Sequence, residues 1–154
     1  MKILVFSDSH GGRKYMDKAL ESHPDVHDVI FLGDGASDIE KFEMYYPEKH
    51  FYSVAGNCDF LSSLPSEKVI TLNGTKIFFT HGLYMPSVDY MINKARLEGA
   101  KICLSGHTHI AMTKYDDGVY YMNPGSISRP RDSKMSYGII EIVPKGIVTN
   151  IVRI

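Results

Sequence analysis

The sequence predicts an α/β fold in which two β-sheets pack face to face with helices outside, and three observations predict it. Short apolar runs alternate with amphipathic stretches over the first third of the chain, the order of a parallel sheet crossed by helices. Hairpin signals then take over, with Asn73-Gly74 between two β-rich runs as the clearest. Five apolar runs also end in tight turns that carry Asp, His or Asn, placing metal-competent side chains at strand ends. The 154 residues are expected to form one domain, 1–154, large enough to bury about two-thirds of its unfolded surface.

The elements follow in order. Ile3 to Phe6 is apolar throughout and reads as a central parallel strand covered on both faces. A helix begins near Arg13 with Met16, Ala19 and Leu20 as its stripe, and it ends before Pro24. Val29 to Leu32 is the next strand and stops at Gly33-Asp34-Gly35. Ser37-Asp38-Ile39-Glu40 has the form of a capping box opening a second helix, with Ile39, Phe42 and Tyr46 inward and Pro47 beyond its end. Phe51 to Val54 is the third strand. Val69 to Leu72 and Thr75 to Phe79 then form a hairpin over Asn73-Gly74. Ser87 caps a third helix with the stripe Val88, Met91, Ile92 and Ala95, and Gly99 stops it. Lys101 to Ser105 is a strand, and Ala111–Tyr115 with Val119–Met122 is a hairpin around Asp116-Asp117-Gly118. A turn at Asn123-Pro124-Gly125-Ser126 leads to a last hairpin, Tyr137–Val143 and Ile147–Val152.

Composition narrows the function classes. With 17 basic against 18 acidic residues the formal charge is −1, and no basic stripe stands out, so long nucleic acid is not an expected partner. Cys58 and Cys103 are too few for a disulfide framework or a thiolate zinc knuckle. The chain opens directly on a strand, and no stretch approaches the ~20 apolar residues of a membrane span. A cytoplasmic, reducing setting is expected, with a homo-oligomer left open.

The strand-end residues are Asp8, His10, Asp34, Asn57, His81, His107 and His109. Each alone is an ordinary turn residue; five such turns in succession are a pattern. Their mixed nitrogen and oxygen donors suit Mn²⁺, Fe²⁺, Co²⁺, Ni²⁺ or Zn²⁺ rather than Mg²⁺ or Ca²⁺. Seven donors exceed one tetrahedral zinc but fit two ions sharing a carboxylate, which Asp34 reads as. Two divalent ions bring four positive charges and the two aspartates return two, so an anionic substrate such as a phosphoryl group is favoured.

Asp8-Ser9-His10, Gly33-Asp34, Gly56-Asn57-Cys58-Asp59, His81-Gly82 and Gly106-His107-Thr108-His109 together resemble the ordered signature of the calcineurin-like metallophosphoesterases, and in size the small YfcE-like phosphodiesterases. The resemblance implies the four-layer α/β/β/α form of the predicted fold, with a metal pair at the strand ends, Mn²⁺ first among the ions above. It implies one ion on Asp8, His10, Asp34 and His109, and the other on Asp34, Asn57, His81 and His107. It implies hydrolysis of a small phosphodiester by a metal-bridging hydroxide, with Asn57, Asp59 and His81 as the catalytic set.

Many relatives read Gly-Asn-His-Asp, where the histidine, positioned by the aspartate, protonates the leaving oxygen. Here the residue is Cys58, whose ordinary pKa of about 8.5 and weak hydrogen bonding make a poor substitute, so it reads as a packing residue. Cys103 reads as core. Arg129 and Arg131 are candidates for a substrate phosphate, and Tyr84 and Tyr90 for a pocket wall. His23, His27 and His50 lie outside the motifs. Two other readings stand beside the diesterase: a phosphomonoesterase or nucleotide phosphatase on the same site, and a non-catalytic scaffold like the retromer subunit of this superfamily. The scaffold reading expects lost ligands, and all seven are present.

Overall fold

A computed structural model describes residues 1–154. The chain runs β1 (Lys2–Phe6), α1 (Arg13–Glu21), β2 (Asp28–Phe31), α2 (Ala36–Tyr45), β3 (His50–Ser53), β4 (Glu67–Leu72), β5 (Thr75–Thr80) and α3 (Val88–Leu97). It continues through β6 (Ile102–Ser105), β7 (Ala111–Asp116), β8 (Val119–Pro124), β9 (Ser136–Val143) and β10 (Gly146–Arg153). One sheet has the order β10-β9-β1-β2-β3 and the other β4-β5-β6-β8-β7. In the first, β1, β2 and β3 are parallel and β9 is antiparallel to β1. In the second, β5, β6 and β8 are parallel, with β4 and β7 antiparallel at the edges.

The apolar runs divide by strand alternation. Ile3, Val5, Ile30, Leu32, Ile77, Phe79, Ile102, Leu104 and Met122 face between the sheets, where Ile140 and Ile142 join them. Leu4, Phe6, Val29 and Phe31 point the other way, onto Met16, Ala19, Leu20, Ile39 and Phe42 of α1 and α2. Phe78, Cys103 and Tyr121 meet Met91, Ile92 and Ala95 of α3. This is the expected two-sheet sandwich with helices outside. Truncating a fully buried ring such as Phe6 or Phe79 costs about 3–5 kcal/mol. No helix is long and apolar enough to cross a membrane.

Local signals held where they were self-contained. Asn73 and Gly74 have φ of 47° and 73°, the left-handed pair of a type I′ turn. Ser87 Oγ accepts from Tyr90 N at 3.1 Å, and Gly99 ends α3 with φ 72°. Three readings need correction. Asn123 and Pro124 are not in the turn before Ser126 but in β8, paired with Met112 and Ala111. The β7–β8 turn is Asp117-Gly118 alone, because Asp116 pairs with Val119. The capping box at Ser37 does not form: α2 starts at Ala36 after Gly35, without a side-chain cap. Its first free N–H groups go instead to the Asp59 carboxylate, and Asp38 turns away to accept from Ser9 Oγ and Gly11 N.

Candidate metal centre

Parallel strands of both sheets deliver their carboxyl ends to one edge, the usual place for a site in open α/β sheets. Asp8 and His10 follow β1, Asp34 follows β2 and Asn57 follows β3; His81 follows β5, and His107 and His109 follow β6. These turns are tight. Of seven non-glycine residues with positive φ, two are hairpin residues and five are Asp8, His10, Asp34, His107 and His109. Such backbone costs about 1–3 kcal/mol per residue and persists only where the surroundings impose it.

The donor atoms form two groups joined at Asp34. In one, His109 Nε2 lies 3.2 Å from Asp8 Oδ1 and 3.4 Å from His10 Nε2, and His10 Nε2 lies 3.7 Å from Asp34 Oδ2. In the other, Asn57 Oδ1 lies 2.9 Å from His81 Nε2 and 3.0 Å from His107 Nδ1, and His81 Nε2 is 3.5 Å from the same Asp34 Oδ2.

Hydrogen bonding from behind sets the tautomers. His81 Nδ1 lies 2.7 Å from Leu32 O, and His109 Nδ1 lies 2.6 Å from Arg129 O. A carbonyl only accepts, so both Nδ1 atoms carry hydrogen and each neutral ring turns a bare Nε2 lone pair inward. Those lone pairs face oxygens that also lack hydrogen, and buried Asp8 Oδ1 has no hydrogen-bond partner. Lone pair against lone pair at these distances calls for a cation between them. The donor set therefore fits a divalent metal pair.

In the cation-free centre protons feel the same oxygens. The His109 pKa is raised, first by the Asp8 carboxylate that its Nε2 faces. That of His81 is pulled down by burial but raised on balance by Asp34 and Asp8. Burial lowers the pKa of His10 and of His107. Burial pushes Asp34 up, yet the neighbouring His81 ring and the N–H of Cys58 hold it well below the usual carboxylate range.

Several residues brace the turns. Asp59 Oδ2 accepts from Asp34 N and Gly56 N, both at 2.8 Å, and Oδ1 accepts from Gly35 N at 3.0 Å and Ala36 N at 2.9 Å. Both oxygens are thus spent on backbone. Asp34 Oδ1 accepts from Cys58 N at 2.7 Å, and the chain passes so close that a Cβ on Gly56 would sit 2.1 Å from that oxygen. Sequence reasoning missed two braces. Asn123 Nδ2 donates to Gly106 O at 2.8 Å, steadying the His107 turn, and Ser126 Oγ donates to Asp8 O at 2.8 Å. Their signal was only the expected Asn123–Ser126 turn, which does not say what it touches.

The remaining candidates separate. Arg129 and Arg131 line a cavity of about 300 Å³ with His10, Asp34, His107 and His109. Cys58 also lines it and is exposed, so it is not a packing residue; its turn lies on the rim of the sheet edge. Burial, then its contact with Asp34, raises its thiol pKa. Cys103 is buried as expected, its thiol pushed up to about 12 by burial. Tyr84 lines a second cleft of about 580 Å³ that shares Asn57 and His81; Tyr90 does not. His23 meets Tyr137, His27 meets Glu48 and His50 meets Asp28, outside the centre.

Residues 1–145 match the model of the calcineurin-like phosphoesterase superfamily domain. The chain is 32% identical over 148 residues to the probable metallophosphoesterase YsnB of Bacillus subtilis, covering 92% of this chain and 85% of that one. It is 27% identical to the phosphodiesterase YfcE of Escherichia coli, covering 92% and 88%. A solved Streptococcus pneumoniae protein, a predicted phosphoesterase, superposes with a TM-score of 0.83 at 29% identity, covering 99% and 88%. Vps29 of Entamoeba histolytica, solved with Zn²⁺, shares the fold at a TM-score of 0.75 and 22% identity, covering 99% of each chain. The chain belongs to the calcineurin-like phosphoesterase superfamily, and with it to the metal-dependent phosphoester hydrolases.

Proposed function

We propose that the chain, as one domain over residues 1–154, is a dinuclear phosphodiesterase. Asp8, His10, Asp34 and His109 would hold one ion and Asp34, Asn57, His81 and His107 the other, with Mn²⁺ or a neighbouring first-row ion preferred on donor chemistry. The observation that carries the reading is one carboxylate oxygen, Asp34 Oδ2, facing a histidine of each donor group. Bound metals would supply Lewis acidity and a water nucleophile at neutral pH.

The chain's own residues do the rest. The Leu32 and Arg129 carbonyls keep the His81 and His109 lone pairs inward. Asp59 holds the Asp34 turn in place as a positioning residue. Arg129 and Arg131 stand where a guanidinium can grip a non-bridging phosphate oxygen or the leaving oxygen's growing charge. A diester needs room for two ester arms, and cavities flank the centre on the arginine side and on the Asn57/His81 side. The name of the YfcE relative supports the diester too. Two unpaired cysteines agree with a reducing, cytoplasmic setting.

The test is metal content together with turnover of bis(p-nitrophenyl) phosphate and p-nitrophenyl phosphate. The expected result is two transition-metal ions per chain and a higher kcat/KM for the diester. A faster monoester would make it a phosphomonoesterase. Two tightly held ions without turnover of either would favour a scaffold of the retromer-subunit type.

A further inference from the structure

The cleft of about 580 Å³ on the Asn57/His81 side has the size of a ligand site and opens directly off the metal centre. Phe60 from the β3–β4 connection and Tyr84 from the β5–α3 connection stand at it 88% and 90% exposed, with Leu64, Leu83 and Met85 between them. One exposed aromatic is unremarkable. Two of them, with three aliphatic neighbours around one cavity, form a concave apolar surface that this chain does not cover. Two of the polar side chains there are already engaged: Thr80 Oγ1 donates to Ser66 O at 3.0 Å, and the Glu67 carboxylate pairs with Lys94. The cleft therefore offers carbon to a ligand and few free hydrogen-bonding groups.

We infer that this cleft is a substrate subsite holding a flat aromatic ester arm, so that the substrates are phosphodiesters with at least one aryl-bearing substituent. The inference rests on the phosphodiesterase reading above. The phosphoryl group lies over the Asp34 centre, the aromatic arm runs along Asn57 and His81 between Phe60 and Tyr84, and the second arm leaves on the Arg129/Arg131 side. A hydrophilic arm such as glycerol gains little from the carbon of Phe60, Leu64, Leu83 and Met85.

The experiment keeps the leaving group constant and varies the other arm. With Mn²⁺-loaded protein, kcat/KM is measured for p-nitrophenyl diesters carrying a methyl, 2-phenylethyl or thymidin-5′-yl arm. The two alkyl arms have similar electronic effects, so their ratio reports the cleft. The expected 2-phenylethyl over methyl ratio is about 10- to 100-fold, the gain from burying one ring. It falls at least about fivefold in Phe60→Ala and in Tyr84→Ala and is unchanged in Leu97→Ala, an equally exposed position on α3 outside the cleft. A thymidin-5′-yl arm matching 2-phenylethyl assigns the ring to a nucleobase, and a weaker one assigns it to a simple aryl group.

Calorimetry with 2-phenylethyl phosphate against methyl phosphate reads the subsite without turnover. If no diester is hydrolysed but the phenylethyl ligand still binds about tenfold tighter and loses this in Phe60→Ala, the diesterase reading fails and the subsite stands. Hydrolysis with no arm preference, together with equal binding of the two phosphates, overturns the subsite alone. So does a preference that survives both substitutions, or a sedimentation change in Phe60→Ala with the preference intact, which would make the cleft an interface between copies.

Discussion

Replacing Asp59 by Asn keeps the side chain's size and turns one of its two acceptor oxygens into a donor. The carboxylate takes four backbone N–H groups, two on each oxygen, so all of its acceptor positions are filled. An amide can keep two of these bonds and must set its NH₂ against the other two donors. Hydrogen bonds to a charged group contribute about 1.5–3 kcal/mol each, so two lost bonds amount to about 3–6 kcal/mol. Asp59 is only half-buried, and water reaching it reduces this to about 3 kcal/mol. For a chain of this length that lowers the melting midpoint by roughly 6–12 °C. The assay is thermal unfolding of metal-free protein by circular dichroism, with a urea titration to show an unchanged slope. Metal affinity should fall in the same variant, because Asp34 N is one of the four donors. A midpoint within about 1 °C of wild type, with only alkyl-diester turnover lost, would refute the clamp and place Asp59 in a proton path.

Asp34→Ala should reduce bound metal below two per chain by elemental analysis and cost more activity than the 10- to 100-fold typical of outer-shell partners. His10→Ala, which touches one donor group only, should be milder; equal losses would argue against a shared carboxylate. Chelation should abolish activity reversibly, with Mn²⁺, Co²⁺ or Ni²⁺ restoring it better than Mg²⁺, and Mg²⁺-only rescue would contradict the donor chemistry. Gly56→Ala puts a methyl 2.1 Å from Asp34 Oδ1 and should cost about 1–3 kcal/mol in a denaturant melt, along with metal affinity. Cys58→Ser should leave aryl-diester kcat/KM unchanged, and Cys58→His should add little on alkyl diesters because Asp59 has no acceptor position left to orient the ring. A 10²- to 10⁴-fold alkyl gain, the usual yield of positioned acid catalysis, would overturn that.

What the sequence disclosed was whatever is decided locally. Ile3 to Phe6 had to be covered on both faces, because strand alternation sends Ile3 and Val5 one way and Leu4 and Phe6 the other. Asn73-Gly74 and Ser87 each specify a turn or cap within four residues. The α2 start escaped because its donors are taken by Asp59, more than twenty residues away. The bracing of Asp8 by Ser126 spans 118 residues and leaves no local pattern. Burial of free cysteine is a tendency of composition, and it misplaced Cys58 because the rim of the site, not packing, decides that position. The left-handed backbone at Asp8, His10, His107 and His109 was equally hidden, since none of these is the glycine that usually marks it.

The same geometry limits where a leaving group can find a proton. The Nδ1–H groups of His81 and His109 are committed to the Leu32 and Arg129 carbonyls, and their Nε2 atoms face the Asp34 and Asp8 carboxylate oxygens. Asp59 is fully engaged as a backbone acceptor. Cys58 is free and exposed, but its thiol is made a still weaker acid by burial and by the Asp34 carboxylate. Arg129 and Arg131 line the same cavity, Arg129 with Nη2 on His10 O at 3.5 Å, and a guanidinium stabilises a negative oxygen without surrendering its proton. On the diesterase reading, such a centre would stabilise the charge on a departing oxygen rather than protonate it, which would suit arms that leave as weakly basic phenolates. The carbon-lined cleft beside Asn57 and His81 bears instead on the retained arm, where it suits an aromatic group on packing grounds. On the diesterase reading, the acid question thus bears on the arm that departs and the apolar cleft on the arm that is retained.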